Sequence, residues 1–250
     1  MKRLLYIFLF VTSSLFTQSN TEIFNIANEL YKNENYIEAI EKYKKIESSG
    51  YISSELYYNL GNSYYKLNKV GPSIYYYEKA LQLNPTNEDV KNNLVFAKRL
   101  ALDNIEELPI TVFQKFNKKY LQQLSYNKWA MISVLFCFLG CMFFLFFYFS
   151  IQSSKKRLFF IVSSFSFLLL LVSCIITYNQ YLFQLNNKEA IIFAESTEIR
   201  NAPTLNSEEV FKLHEGTKVI VLDSIDNWKK IKIADGKQGW IISSEIKSFK

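Results

Sequence analysis

Histidine is nearly missing from this chain of 250 residues, where His214 is the only one. One imidazole cannot furnish a Cys–His pair or a Ser-His-Asp set with a base to spare, so His214 reads as a structural residue beside a turn. Cysteine is also sparse. Cys137, Cys141 and Cys174 all fall inside apolar runs, which leaves the polar parts of the chain without an internal disulfide in any compartment. Cys137 and Cys141, four apart on one helix face, lack the third and fourth ligands of a metal site and read as small packing residues. Carboxylates do not converge in pairs outside loops and repeats, and no stretch of domain size is left over for a catalytic fold. No catalytic, cofactor-binding or metal-binding residue is therefore expected.

The middle of the chain lacks charge. Residues 129–149 and 158–178 contain no Asp, Glu, Lys or Arg, and each run is long enough to cross about 30 Å of hydrocarbon as a helix. Trp129, Tyr178 and Tyr181 suit an aromatic belt at the edges. Neither run holds an ionisable residue of the kind that marks an ion or proton path, and Asn179, Gln180 and Gln184 mark where the second leaves the membrane. The short loop between them carries Lys155, Lys156 and Arg157 and no acid, which places it in the cytoplasm by the positive-inside rule. Lys115, Lys118, Lys119 and Lys128 weaken that bias. Lys2 and Arg3 followed by an apolar run over 4–11 have the pattern of a secretory signal peptide ending at residue 17. The two cues agree on a protein of the inner (cytoplasmic) membrane with both soluble parts facing the periplasm. The net charge of +6 is interleaved along the chain and forms no basic stripe, so nucleic acid is not an expected partner.

Before the spans the chain repeats itself with a period of 34. Tyr57, Leu60, Gly61 and Tyr64 form one helix face, Ser73, Tyr77 and Ala80 a second, and Pro85 closes the unit. Gly61 allows close approach of the two helices and Pro85 stops the second. One period earlier, Ile23, Ile26, Ala27 and Leu30 face Ala39, Tyr43 and Ile46. A third helix with Asp89, Leu94, Val95 and Lys98 reads as the cap that such arrays need. The pattern resembles a tetratricopeptide repeat. The concave face of such repeats would carry Phe24, Asn28, Tyr31 and Lys32, then Tyr58, Asn62, Tyr65 and Lys66. Its Asn and Lys recur in register, and both donate to anions, as in a clamp for a peptide carboxylate. Asn92 and Phe96 stand where that clamp would need further cations, so the alternative is a polar, aromatic face on a protein-binding groove.

After the spans, β-rich runs at 190–193, 218–222, 231–233 and 240–242 are punctuated by Gly, Asn, Asp and Pro. The order Glu198-Ile199-Arg200-Asn201-Ala202-Pro203, Leu213-His214-Glu215-Gly216-Thr217, Asn227-Trp228, Asp235-Gly236, Gly239-Trp240-Ile241 resembles a bacterial SH3 domain. That resemblance implies binding of cell-wall peptide or envelope proteins through aromatics, with Trp228 and Trp240 as candidates unless they plug the barrel.

The expected fold is a multidomain membrane protein: α-helical tetratricopeptide repeats, two transmembrane helices and an all-β SH3-like barrel. Its segments are a signal peptide at 1–17, repeats with a capping helix at 18–108, and a linker at 109–128. Spans at 129–150 and 158–178 flank a cytoplasmic loop at 151–157, a second linker covers 179–187, and the SH3-like domain covers 188–250. The ordered whole, with Asp89-Val90-Lys91-Asn92-Asn93-Leu94, Asp103-Asn104-Ile105-Glu106-Glu107-Leu108-Pro109 and Trp129-Ala130 in place, resembles BatE-like proteins of the Bat aerotolerance operon. The resemblance implies a non-enzymatic interaction scaffold in contact with membrane lipid, working with membrane-anchored von Willebrand factor A-type Bat partners. The other function class is a cell-wall-binding accessory or targeting subunit of an envelope-remodelling enzyme.

Overall fold

A computed structural model of the protein describes residues 20–106 and 108–249; the expected signal peptide lies outside the described residues. The chain forms two compact units. One combines the described residues up to Leu108 with those from Glu189 onward, and the other is Pro109–Lys188.

The first unit opens with five helices: α1 over residues 20–32, α2 Tyr36–Ser48, α3 Ser54–Lys66, α4 Val70–Leu83 and α5 Glu88–Arg99. Ser53 caps α3 by accepting from the Leu56 amide and Asn87 caps α5 by accepting from that of Val90, so these two helix starts find a side-chain acceptor for a free N–H. The turns inside the two helix pairs use residues one period apart, Glu34 and Asn68, both with positive φ. At Gly61 a Cβ would stand 2.6 Å from the Tyr77 ring, so only glycine fits; the equivalent Ala27 is fully buried against the first pair. Tyr75, Tyr76 and Tyr77 are consecutive and all buried. A helix covered on every side is not the outer helix of a free repeat.

The rest of this unit is a sheet of seven strands: β1 Lys188–Ile192, β2 Ser196–Arg200, β3 Glu209–His214, β4 Lys218–Ile225, β5 Trp228–Lys232, β6 Gln238–Ile242 and β7 Ile246–Ser248. Their order is β3-β2-β6-β5-β4-β1-β7, an open antiparallel sheet where a closed barrel was expected. Asp226 turns the β4–β5 hairpin and Gly236 the β5–β6 hairpin, both at positive φ. Ile192, Ile199, Val219, Ile231 and Ile241 form the core of the sheet, while Ile191 joins the core of the helices. β1 is thus buried on both faces, which is why its apolar residues run consecutively instead of alternating.

The second unit holds α6 Val112–Tyr120, a 3-10 turn Leu121–Gln123, α7 Tyr126–Phe149 and α8 Ser153–Asn186. The segment read as a linker at 109–128 therefore contains a helix. α8 begins before Lys155 and continues past Tyr178 through most of the second linker. At 1.5 Å per residue it is about 50 Å long, well over the thickness of hydrocarbon. α7 and α8 pack through small residues: Ser133 Oγ donates to Ser173 Oγ at 2.9 Å, Ser163 Oγ to the Gly140 carbonyl at 3.0 Å, and a Cβ on Gly140 would press on Phe167. Small residues of this kind let two apolar helices approach closely. The three cysteines are exposed on this hairpin, so serine and glycine, not cysteine, do the packing.

Candidate binding surfaces

The two repeat asparagines occupy equivalent polar nodes. Asn28 Oδ1 accepts from the Tyr43 hydroxyl at 2.6 Å and from Asn59 Nδ2 at 3.0 Å. One period on, Asn62 Oδ1 accepts from the Tyr77 hydroxyl at 2.6 Å and from Asn93 Nδ2 at 2.9 Å. Burial raises the phenol pKa of both tyrosines, so they remain donors. With each Oδ1 taken twice, the Nδ2 donors of Asn28 and Asn62 have no hydrogen-bond partner among the described residues. Phe24 packs on Tyr43 at 5.7 Å and Tyr58 on Tyr77 at 6.2 Å. Tyr31 and Tyr65 also rest on the core, and Tyr31 meets Tyr36 edge-on at 5.3 Å. Lys32 and Lys66 are exposed; Lys32 pairs with Glu29 at 2.7 Å. Seven of the eight expected groove residues, all but Lys66, thus have a packing, hydrogen-bonding or ion-pairing duty. Asn59 and Asn93 complete the nodes, and their own spacing of 34 was the signal that could have found them.

The helices and the sheet meet along α4, and here the structure adds residues that sequence reasoning missed. Tyr75 stacks on Phe249 at 5.3 Å, meets Phe193 edge-on at 5.6 Å, and donates to the Ser248 carbonyl at 3.2 Å. Glu78, only 12% exposed, pairs with Lys98 and Lys218 at 3.0 Å each, and Lys218 also reaches Glu189 at 2.8 Å. Asp103 accepts from the His214 amide at 2.7 Å and the Thr217 hydroxyl at 2.6 Å, and lies 2.7 Å from His214 Nδ1. The Gly71 amide, in the first turn of α4, donates to Glu215 at 3.1 Å. The only histidine is thus a structural element of the joint. None of the eight groove candidates takes part in these contacts.

Burial would raise the carboxyl pKa of Glu78, but Lys218 and Lys98 outweigh it and hold it below the ordinary range. Asp103 is lowered against burial by Thr217 and His214, and Glu47 against burial by Lys79 and Tyr76. A depressed carboxylate contributes stability in full above its unfolded value, about 4. That contribution disappears as pH falls through the folded value. The melting temperature of the full chain is expected to hold steady down to about pH 5 and then to drop on further acidification, with Asp103→Asn reducing the acid-dependent part of the drop.

On the sheet, Trp228 lies opposite Ile242 and Ile225, and Trp240 opposite Lys230 and Arg200. Alternation puts this set on the face away from the buried Ile231 and Ile241. Both indoles are half-buried and belong to neither apolar core, so neither acts as a core plug. Ile225 is exposed beside them.

A family model for the tetratricopeptide repeat matches residues 54–87, which are α3, α4 and the closing turn. A family model for the bacterial SH3 domain matches residues 195–247, from the start of β2 into β7. The chain carries both modules. Tetratricopeptide repeats point to binding of protein partners and bacterial SH3 domains to binding of the cell wall, and both are typically non-catalytic. No curated protein matches the chain.

Proposed function

We propose that this protein is a membrane-anchored interaction scaffold of the cell envelope, with the repeat face docking an acidic or carboxylate-bearing protein segment. The observation that carries the reading is the pair of asparagine nodes. Each Oδ1 is held by a tyrosine hydroxyl and a neighbouring amide, so the Nδ2 donors of Asn28 and Asn62, without a partner among the described residues, are pre-oriented one repeat apart, each one helical turn before Lys32 or Lys66. Preorganised donors lose little entropy on binding.

Helices and sheet form one body with the apolar hairpin inserted between its two halves. Whatever side of the membrane one half occupies, the other shares it, which supports a periplasmic placement of both on the inner membrane once Lys155, Lys156 and Arg157 are taken as cytoplasmic. Membership of a Bat-type complex with von Willebrand A-type partners is the finer form of this proposal and rests on the resemblance of segment order. A cell-wall-binding accessory role is the second reading, favoured by the aromatic face of Trp228 and Trp240.

One crosslinking experiment on intact cells separates the two, read by mass spectrometry for proteins and for cell-wall fragments. Lys32→Glu with Lys66→Glu, both at exposed positions, is expected to remove a defined set of envelope proteins. Trp228→Ala with Trp240→Ala is expected to remove cell-wall fragments. Unchanged protein recovery with the lysine variant would sink the groove reading.

A further inference from the structure

We propose that α6 is an interfacial helix that lies on the surface of an anionic phospholipid bilayer, a reading that rests on α7 and α8 crossing that bilayer. Thr111 and Gln114 form a capping box that fixes where α6 begins. Val112, Phe116 and Tyr120, four apart on one face, are 85%, 50% and 54% exposed, and the last two rings touch at 5.0 Å. An unpartnered apolar stripe of this kind needs a cover.

Position and charge identify it. The carbonyl of Leu121, directly after α6, accepts from Trp129 Nε1 near the start of α7 and from Gln180 Nε2 near the end of α8. The end of α6 is therefore tied to the level where both apolar helices turn polar, the depth at which amphipathic helices settle. Tyr126 and Tyr181 meet at the same end, 5.8 Å apart. No Asp or Glu occurs anywhere from Pro109 to Lys188, whereas 109–128 alone contains Lys115, Lys118, Lys119 and Lys128. Lys119 Nζ sits 5.3 Å from the centre of the Tyr120 ring, so charge and apolar stripe meet along one edge. The apolar face is too short to bind a bilayer alone, but a helix already tethered by two spans needs little additional affinity.

The test uses the intact chain in nanodiscs of phosphatidylcholine alone or mixed with phosphatidylglycerol, with amide hydrogen exchange followed by mass spectrometry. The amides of 112–120 are expected to exchange more slowly in the anionic discs, by about fivefold for each lysine engaged. Lys115→Gln with Lys119→Gln should shrink the difference accordingly, while Phe116→Ser should speed exchange in both discs. Equal exchange of 112–120 in the two discs, with α7 and α8 fully protected, overturns the proposal and leaves the membrane reading intact. Free exchange in α7 and α8 overturns the membrane reading and this proposal together.

Discussion

Lys218→Met is expected to destabilise the folded protein by about 3 kcal/mol, because removing one partner of an enclosed ion pair leaves the other without compensation. Lys218 bridges Glu78 of α4 and Glu189 of β1. Its loss leaves two carboxylates facing each other across the joint with only Lys98 to serve Glu78. That remaining partner keeps the expected effect at the lower end of the range. Adding Glu78→Gln should recover part of the loss, since replacing both members removes the unpaired charge instead of creating one. The measurement is thermal unfolding of the detergent-solubilised full chain, followed through the tryptophans. A loss in the double variant equal to the sum of the losses in Lys218→Met and Glu78→Gln alone would show that the two residues are not coupled.

Gly71→Val is expected to open the same joint without touching a charge. A Cβ at this position would lie 2.8 Å from the Ile192 carbonyl oxygen and 2.8 Å from Glu215 Cγ. The first of these is backbone within a sheet and cannot swing aside. The glycine also lies where α4 most needs help: Lys69 offers no side-chain cap, and the first turn contains no acid. Glu215, from the loop before β4, supplies the missing acceptor to the Gly71 amide, favourably placed for the positive end of the helix dipole. Overpacking typically costs up to about 3 kcal/mol, and here the lost cap adds to it. Helical circular dichroism should survive, while residues 101–106, which run from α5 along the sheet, should become quickly cleavable by protease. Unchanged resistance to cleavage would mean that the joint tolerates the added bulk.

Both variants act where the sequence was least readable. The helices of the repeats, the two apolar helices and the β-rich segment were legible because each follows from local periodicity: Gly61 with Tyr77, the uncharged runs, Asp235-Gly236 with its turn. β2, β3 and β7 lack strong apolar alternation, and only the order of turn motifs hinted at them. The joint was illegible because its pairs are far apart in sequence, His214 standing 111 positions after Asp103 and Lys218 140 positions after Glu78. Both motifs that form it, Asp103 onward and Leu213-His214-Glu215-Gly216-Thr217, were visible as strings that carry the family resemblances, but nothing local says that one completes the other. Three consecutive tyrosines on α4 were the available clue, since neighbouring positions on a helix of 3.6 residues per turn cannot all lie on one apolar stripe. The candidate groove was half legible: the recurrence of Asn28 and Asn62 was visible in the sequence, while their hydrogen bonds to Tyr43 and Tyr77 depend on side chains that the period places but does not orient.

Because the apolar hairpin interrupts a single folded body, the ribosome makes the two halves of that body at different times. The α4 surface, with Gly71, Tyr75 and Glu78, is finished long before β1, β4 and β7 exist to cover it. On the proposed reading, in which the hairpin crosses a bilayer, those strands reach it only if the hairpin has brought the chain back to the side from which it left. A chain that enters once and fails to return keeps a tyrosine-rich helix and an enclosed carboxylate bare to chaperones and proteases. On that reading correct threading is checked by folding itself, because a misthreaded copy leaves the α4 surface uncovered.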